Sequence, residues 1–190
     1  MRERRNVEGH ERHRPPWPCA GSLYLGAAYL YNDYRTGTAL ESGKIPVGAT
    51  ASTHVTQLFG HYDLHVAVLS AMYQTYTSGF PGSGFTPVKA STASLDNRFW
   101  MVGAAVPAGR GQFNVSYSHT DDKDVADSKA SLIGVGYQYS LSRSTMLYGG
   151  LSHISNGSAA AYGVHDATNT FAGSYGASAN GIDLGLRHNF

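Results

Sequence analysis

Between residues 34 and 181 the connections that separate apolar-alternating segments run long, short, long, short, long, short, long. The long ones cover residues 35–46, 78–97, 121–129 and 156–180, and the short ones residues 62–64, 107–111 and 142–144. In an up-and-down antiparallel sheet every second connection lies at the same end. Such a sheet would carry only tight turns at one end and only large loops at the other. The Greek-key crossings of a sandwich would scatter the lengths. Membrane-spanning β-barrels sort them in this way, with short turns on one side of the bilayer and long loops on the other.

The segments themselves carry a side-chain period of two, the signature of a strand with two unlike faces. In residues 112–120 (QFNVSYSHT), Phe113, Val115, Tyr117 and His119 oppose Gln112, Asn114, Ser116 and Ser118. In residues 132–141 (LIGVGYQYSL), Ile133, Val135, Tyr137, Tyr139 and Leu141 oppose Gly134, Gly136, Gln138 and Ser140. The closing residues 181–190 (GIDLGLRHNF) set Ile182, Leu184, Leu186, His188 and Phe190 against Gly181, Asp183, Gly185, Arg187 and Asn189. Leu23, Leu25, Ala27, Tyr29 and Tyr31 share one parity, as do Ala67, Leu69, Ala71 and Tyr73, and Trp100, Val102, Ala104 and Val106. Segments 22–34, 49–61, 65–77, 98–106 and 145–155 complete a set of eight strands; the inward parity of 49–61 and 145–155 stays open. Gly, β-branched and aromatic residues interrupt every candidate helix. No apolar run approaches the roughly 18 residues of a membrane helix, and alternation hides barrel strands from a hydropathy scan.

Composition narrows the class further. Charged residues make up 14% of the chain, against about 25% in an ordinary soluble domain. With 23 Gly and 13 Tyr, this is unusual for a cytoplasmic enzyme. The formal net charge of +1 belongs to the first 20 residues, which hold five Arg and three Glu; without them the balance is −1. No basic field for nucleic acid exists beyond that leader. A single cysteine, Cys19, excludes an intramolecular disulfide framework. Residues 1–20 lack the apolar stretch of about 7–15 residues of a secretory signal. They read as a tail unlike the rest, disordered or mis-annotated, before a barrel domain over 21–190.

The two faces suit lipid on one side and water on the other. Aromatic residues near strand ends, namely Tyr31, Tyr34, Tyr76, Trp100, Tyr139 and Phe190, suit interfacial girdles. The opposite faces of the clearest strands hold Gly, Ser, Asn, Gln, Asp and Arg. A closed eight-stranded barrel is narrow enough for side chains to fill, and residues this small would fill it badly, so a wider, water-holding barrel is expected.

Several of these segments carry a resemblance. The closing GIDLGLRHNF, residues 139–148 (YSLSRSTMLY), residues 115–119 (VSYSH), residues 69–76 (LSAMYQTY) and the turn at 107–112 are similar to the general porins of Gram-negative bacteria, of the beta-proteobacterial type. The resemblance covers about residues 21–190. It implies a passive diffusion channel for small hydrophilic solutes and ions in the outer membrane, usually a homotrimer of sixteen-stranded barrels. Eight strands match the C-terminal half only. The expected fold class is therefore an all-β, antiparallel, up-and-down transmembrane β-barrel, of which this chain supplies one half. The family's inward-folded constriction loop belongs to the other half and is not carried over. Leu184, Leu186 and Phe190 match the family's signal for the outer-membrane assembly machinery.

Signatures of other chemistry are missing. His61 and His65 are four apart, but a turn separates them. His54, His119, His153 and His188 have no Cys or carboxylate at ligand spacing. Asp121, Asp122, Asp124 and Asp127 lack the glycine and closing glutamate of a calcium loop. No nucleophile elbow and no phosphate-binding glycine loop is present. Thus no catalytic residue, metal site or cofactor is expected. The candidate pore-lining residues are Gln112, Asn114, Ser116, Ser118, Gln138, Asp183 and Arg187, whose charges would set ion preference through the local field. Two alternatives stay open: a complete eight-stranded outer-membrane barrel acting as adhesin or anchor, and a soluble all-β binding protein.

Overall fold

The computed structural model describes residues 23–35, 50–78, 95–164 and 174–190; the leader 1–20 lies outside them. Eight strands follow one another: β1 (Leu23–Arg35), β2 (Thr50–Asp63), β3 (Val68–Ser78), β4 (Leu95–Ala108), β5 (Gly111–Asp122), β6 (Ala130–Ser140), β7 (Thr145–Asn156) and β8 (Ala179–His188). They form one antiparallel sheet in sequence order. β1 and β8 are its two edges and are not paired with each other. Strands of 10 to 14 residues are long enough to cross a bilayer at a barrel's tilt. The alternation of long and short connections holds, so the long loops share one end.

The register carries one parity across the whole sheet. Leu25 pairs with Gly60, Ala71 with Gly60 and Val102, Ala104 with Val115, Val115 with Val135, Val135 with Leu151, and Leu151 with Ile182. These residues form an apolar face, with Val135 50% and Leu184 85% exposed. A soluble sheet would bury such a face; among the described residues nothing covers it. The register also fixes the two open parities. Leu58, Gly60 and Tyr62 of β2, and Leu147, Gly149 and Leu151 of β7, belong to the apolar face.

Three local expectations are corrected. The first short connection is not residues 62–64 but 64–67, with Tyr62 and Asp63 still paired to Leu69 and Val68. The Asp63 carboxylate accepts the His65 amide at 2.7 Å, and His65 takes a left-handed φ of 68°. The turn is made by this side-chain-to-backbone bond, which the continuing alternation through His65 and Val66 concealed. The second turn tightens from 107–111 to two residues, Gly109 and Arg110, with Gly109 at a φ of 60°, as the first central position of a type II′ hairpin requires. The third concerns the girdle. Tyr31, Trp100 and Tyr139 lie on the apolar face, but Tyr76 pairs with Val55 and Asn97 on the other, because the parity of β3 is set by Leu69, seven residues earlier. The Tyr34 side chain lies outside the described residues.

Candidate functional site

The face opposite the apolar one is the candidate site, and the two-residue period places its members. Gln112, Asn114, Ser116 and Ser118 follow one another along β5. Gln138 of β6 stands directly across from Gln112, and Gly134 across from Ser116. The Gln112 amide donates to the Asn114 side-chain oxygen at 2.7 Å. Asp183 and Arg187 lie on β8, opposite Gly150 and Met146 of β7. All seven candidates therefore share one face, but only Gln112, Asn114 and Gln138 form a contiguous polar patch around a hydrogen bond. Asp183 and Arg187 stand four residues apart, roughly 13 Å along the strand.

The same face is less uniform than the sequence suggested. On β5, β6 and β8 it is mostly small or polar. On β1 to β4 it also carries Tyr24, Phe59, Met72, Phe99 and Met101. Tyr24 stacks on His61 with ring centroids 5.1 Å apart, which accounts for His61 without a metal. Among the described residues no group of three or more metal-capable side chains gathers. The Gln57 amide donates to Gln74 at 2.6 Å in the same wall. A large open depression, about 1170 Å³, runs mostly along apolar residues of β1 to β6 such as Leu58, Ala71 and Val102, and takes in Ser116 of the candidate wall.

At the loop end the sequence reading missed a structure. The only buried apolar residues among those described are Ala130, Ile154, Ala159, Ala160 and Ala161. They lie where residues 157–164 fold back over the polar face. The Asn156 amide donates to the Tyr162 and Ala177 carbonyls at 2.8 and 2.7 Å, and its oxygen accepts the Tyr162 amide at 3.0 Å. The Tyr162 phenol lies near the side chains of Thr120 and Asn97, both on the polar face. Burial pushes this phenol above its ordinary pKa, so it stays neutral. Val164 lies where a side chain on Gly181 would have to go. The signal available in the sequence was slight: an Ala-Ala-Ala-Tyr run inside an otherwise polar loop.

The acidic loop 123–129 meets this fold-back. The Asp127 carboxylate accepts the Ser158 amide at 2.7 Å, and its carbonyl accepts the Ala159 amide at 3.0 Å. The hydroxyl and amide of Ser158 hold the Asp127 carboxyl below the usual carboxylate range, with Lys129 adding to the effect. Asp122 accepts the Asp124 amide, and Lys123 pairs with Asp96 at 3.0 Å. These carboxylates hold loops together rather than converge on an ion.

The C-terminal residues are placed by the last hairpin. The Asn189 amide donates to the Ser144 carbonyl at 2.9 Å, and the Phe190 ring meets the edge of His188 at 4.7 Å. Leu184, Leu186 and Phe190 are all exposed.

Comparison with known proteins agrees with this geometry. The model of the Gram-negative porin family matches residues 20–159. Outer membrane porin protein 32 of Delftia acidovorans is 30% identical over 174 residues, 88% of this chain and 46% of the relative. An outer membrane porin protein of Bordetella pertussis is 31% identical over 184 residues, 87% of this chain and 43% of the relative. Among solved structures, an anion-selective porin from Comamonas acidovorans superposes with a TM-score of 0.69 at 27% identity, over 90% of this chain and 46% of its own. OmpT, an outer membrane protein of Vibrio cholerae, shares the fold at a TM-score of 0.62 and 16% identity, over 90% and 52%. The chain thus spans about half the length of the relatives it matches. The apolar outer belt, the ordered meander and these matches lead to one statement: the chain belongs to the Gram-negative porin family, whose matched members are outer-membrane proteins.

Proposed function

We propose that this chain is the C-terminal half of a passive outer-membrane diffusion channel, in which the polar face lines water and the apolar face meets lipid. The observation that supports this most directly is the unbroken parity: one register keeps apolar residues on one face of all eight strands. A diffusion channel needs no catalytic group and no cofactor; it needs a wet wall with placed charges. Asp183 and Arg187 are the charges of the candidate wall, while Gln112, Asn114, Ser116, Ser118 and Gln138 supply uncharged hydrogen-bonding sites for small hydrophilic solutes. The trimeric state of the family and the recognition of Leu184, Leu186 and Phe190 by the assembly machinery are part of the same proposal.

Two measurements test it. In planar bilayers, Arg187→Glu in the outer-membrane protein that carries these residues is expected to shift the reversal potential toward cation preference, with conductance largely kept. An unchanged reversal potential would remove Arg187 from the conducting wall. Deleting Phe190 is expected to reduce outer-membrane insertion, read by heat-modifiability on gels. Full insertion without it would leave the terminal ring as one more lipid-facing group.

A further inference from the structure

We propose that Asp127 is a positioning residue that straps the segment 157–164 across the polar face, and that Tyr162, held by this strap, sets the width of the channel at its loop end. The inference rests on the channel reading only for its second half; the strap stands on the geometry alone.

The sheet has no hydrophobic core over most of its described area. Its buried apolar residues, Ala130, Ile154 and Ala159 to Ala161, sit under or within this one segment. An alanine run of this size gives a small burial, so polar bonds must hold the segment in place. Asp127 supplies them from the neighbouring loop. Its carboxylate takes the Ser158 amide and its carbonyl the Ala159 amide, while the Lys129 carbonyl takes the Gly157 amide at 2.8 Å. Asp127 adopts a left-handed φ of 57° to aim both groups the same way. A Cβ on Gly157 would come within 2.8 Å of the Asp127 carboxylate and closer still to its carbonyl, so this approach requires glycine.

Beyond the strap the chain turns over the wall. Asn156 grips the Tyr162 backbone on both its amide and its carbonyl. The phenol then reaches Thr120 and Asn97, which bond to each other at 3.0 Å. Thr120 lies on β5, in line with Ser116 and Ser118 on the candidate wall, so the aromatic ring stands over the water path rather than over lipid. The segment crosses from β7 toward β4 and β5 and also covers Gly181 of β8 through Val164.

The test uses the outer-membrane protein that carries these residues, folded in detergent, with chymotrypsin as probe. Leu64, 43% exposed in the turn at the opposite end of the sheet, is the internal reference site, and Tyr162 is the reporter. Cleavage after Tyr162 is expected to be at least about tenfold faster in Asp127→Ala than in wild type, because proteolysis follows local opening. Cleavage after Leu64 should hardly change, and Asp127→Asn, which keeps an acceptor oxygen, should recover part of the protection. Gly157→Val is the second variant and should release the segment by crowding Asp127. Equal protection of Tyr162 in wild type and both release variants would overturn the strap. In bilayers, Tyr162→Ala and Asp127→Ala should both raise single-channel conductance; a released strap with unchanged conductance would overturn the role of Tyr162 in setting width. A wild-type protein silent in the bilayer would count against the channel reading, while the protease result would still decide the strap.

Discussion

Val135→Arg is expected to cost about 2–4 kcal/mol of folding stability in a bilayer, and Ser116→Arg much less. The two sites are neighbours in one row of the sheet. Val135 is the middle residue of β6 and pairs with Val115; Ser116, the next residue on β5, pairs with Gly134. Their Cα positions lie at nearly the same depth, so depth cannot distinguish them. What differs is the face. An arginine at 135 points among Val115, Ile133 and Leu151, where the bilayer offers no water or counter-charge near the midplane. An arginine at 116 points toward the candidate wall beside Ser118 and Asn114, where water hydrates it. The check is a reversible unfolding titration of both variants in lipid vesicles. Equal losses at the two positions would overturn the assignment of faces.

A chain limited to these 190 residues is expected to give no stable, porin-sized conductance after refolding in detergent. β1 and β8 are the sheet's edges, and among the described residues each has a partner strand on one side only. In lipid every unsatisfied amide or carbonyl costs several kcal/mol, and with strands of 13 and 10 residues the total far exceeds the stability of a typical domain. Closing the eight strands on themselves would pair β1 with β8. That tight lumen would be lined on β6 to β8 by Gly134, Gly136, Gly150, Gly181 and Gly185, which fill it poorly. Edge-to-edge association is the remaining escape. Long-lived conductance steps of porin size from this chain by itself, recorded in planar bilayers, would overturn the half-barrel reading. If they do not appear, supplying the complementary strands should restore them.

The eight strands, their sequence order and the faces of 112–120, 132–141 and 181–190 were legible in the amino-acid order, because a strand's period of two is local and each residue reports its own face. The apolar surroundings of Val135 and Leu184, and the placement by parity of Gln112, Asn114, Ser116, Ser118, Gln138, Asp183 and Arg187 on the opposite face, followed from that period. The parity of β2 and β7 did not: Gly60 and Gly149 contribute no side chain to the pattern, and only the pairing of Gly60 with Leu25 and of Gly149 with Leu184 fixed it. Tyr76 was misplaced for a related reason, since an aromatic near a strand end serves either face, and its cross-strand partners decide which. The contacts of the loop end were out of reach altogether. Asp127 and Ser158 are 31 residues apart, Tyr162 finds Thr120 and Asn97 across the sheet, and nothing periodic marks them. Local alternation determined the sheet. Only the tertiary structure, by bringing two loops together over one end of it, decided what stands above the polar face, because bonds between loops depend on closure in space and leave no period in the chain.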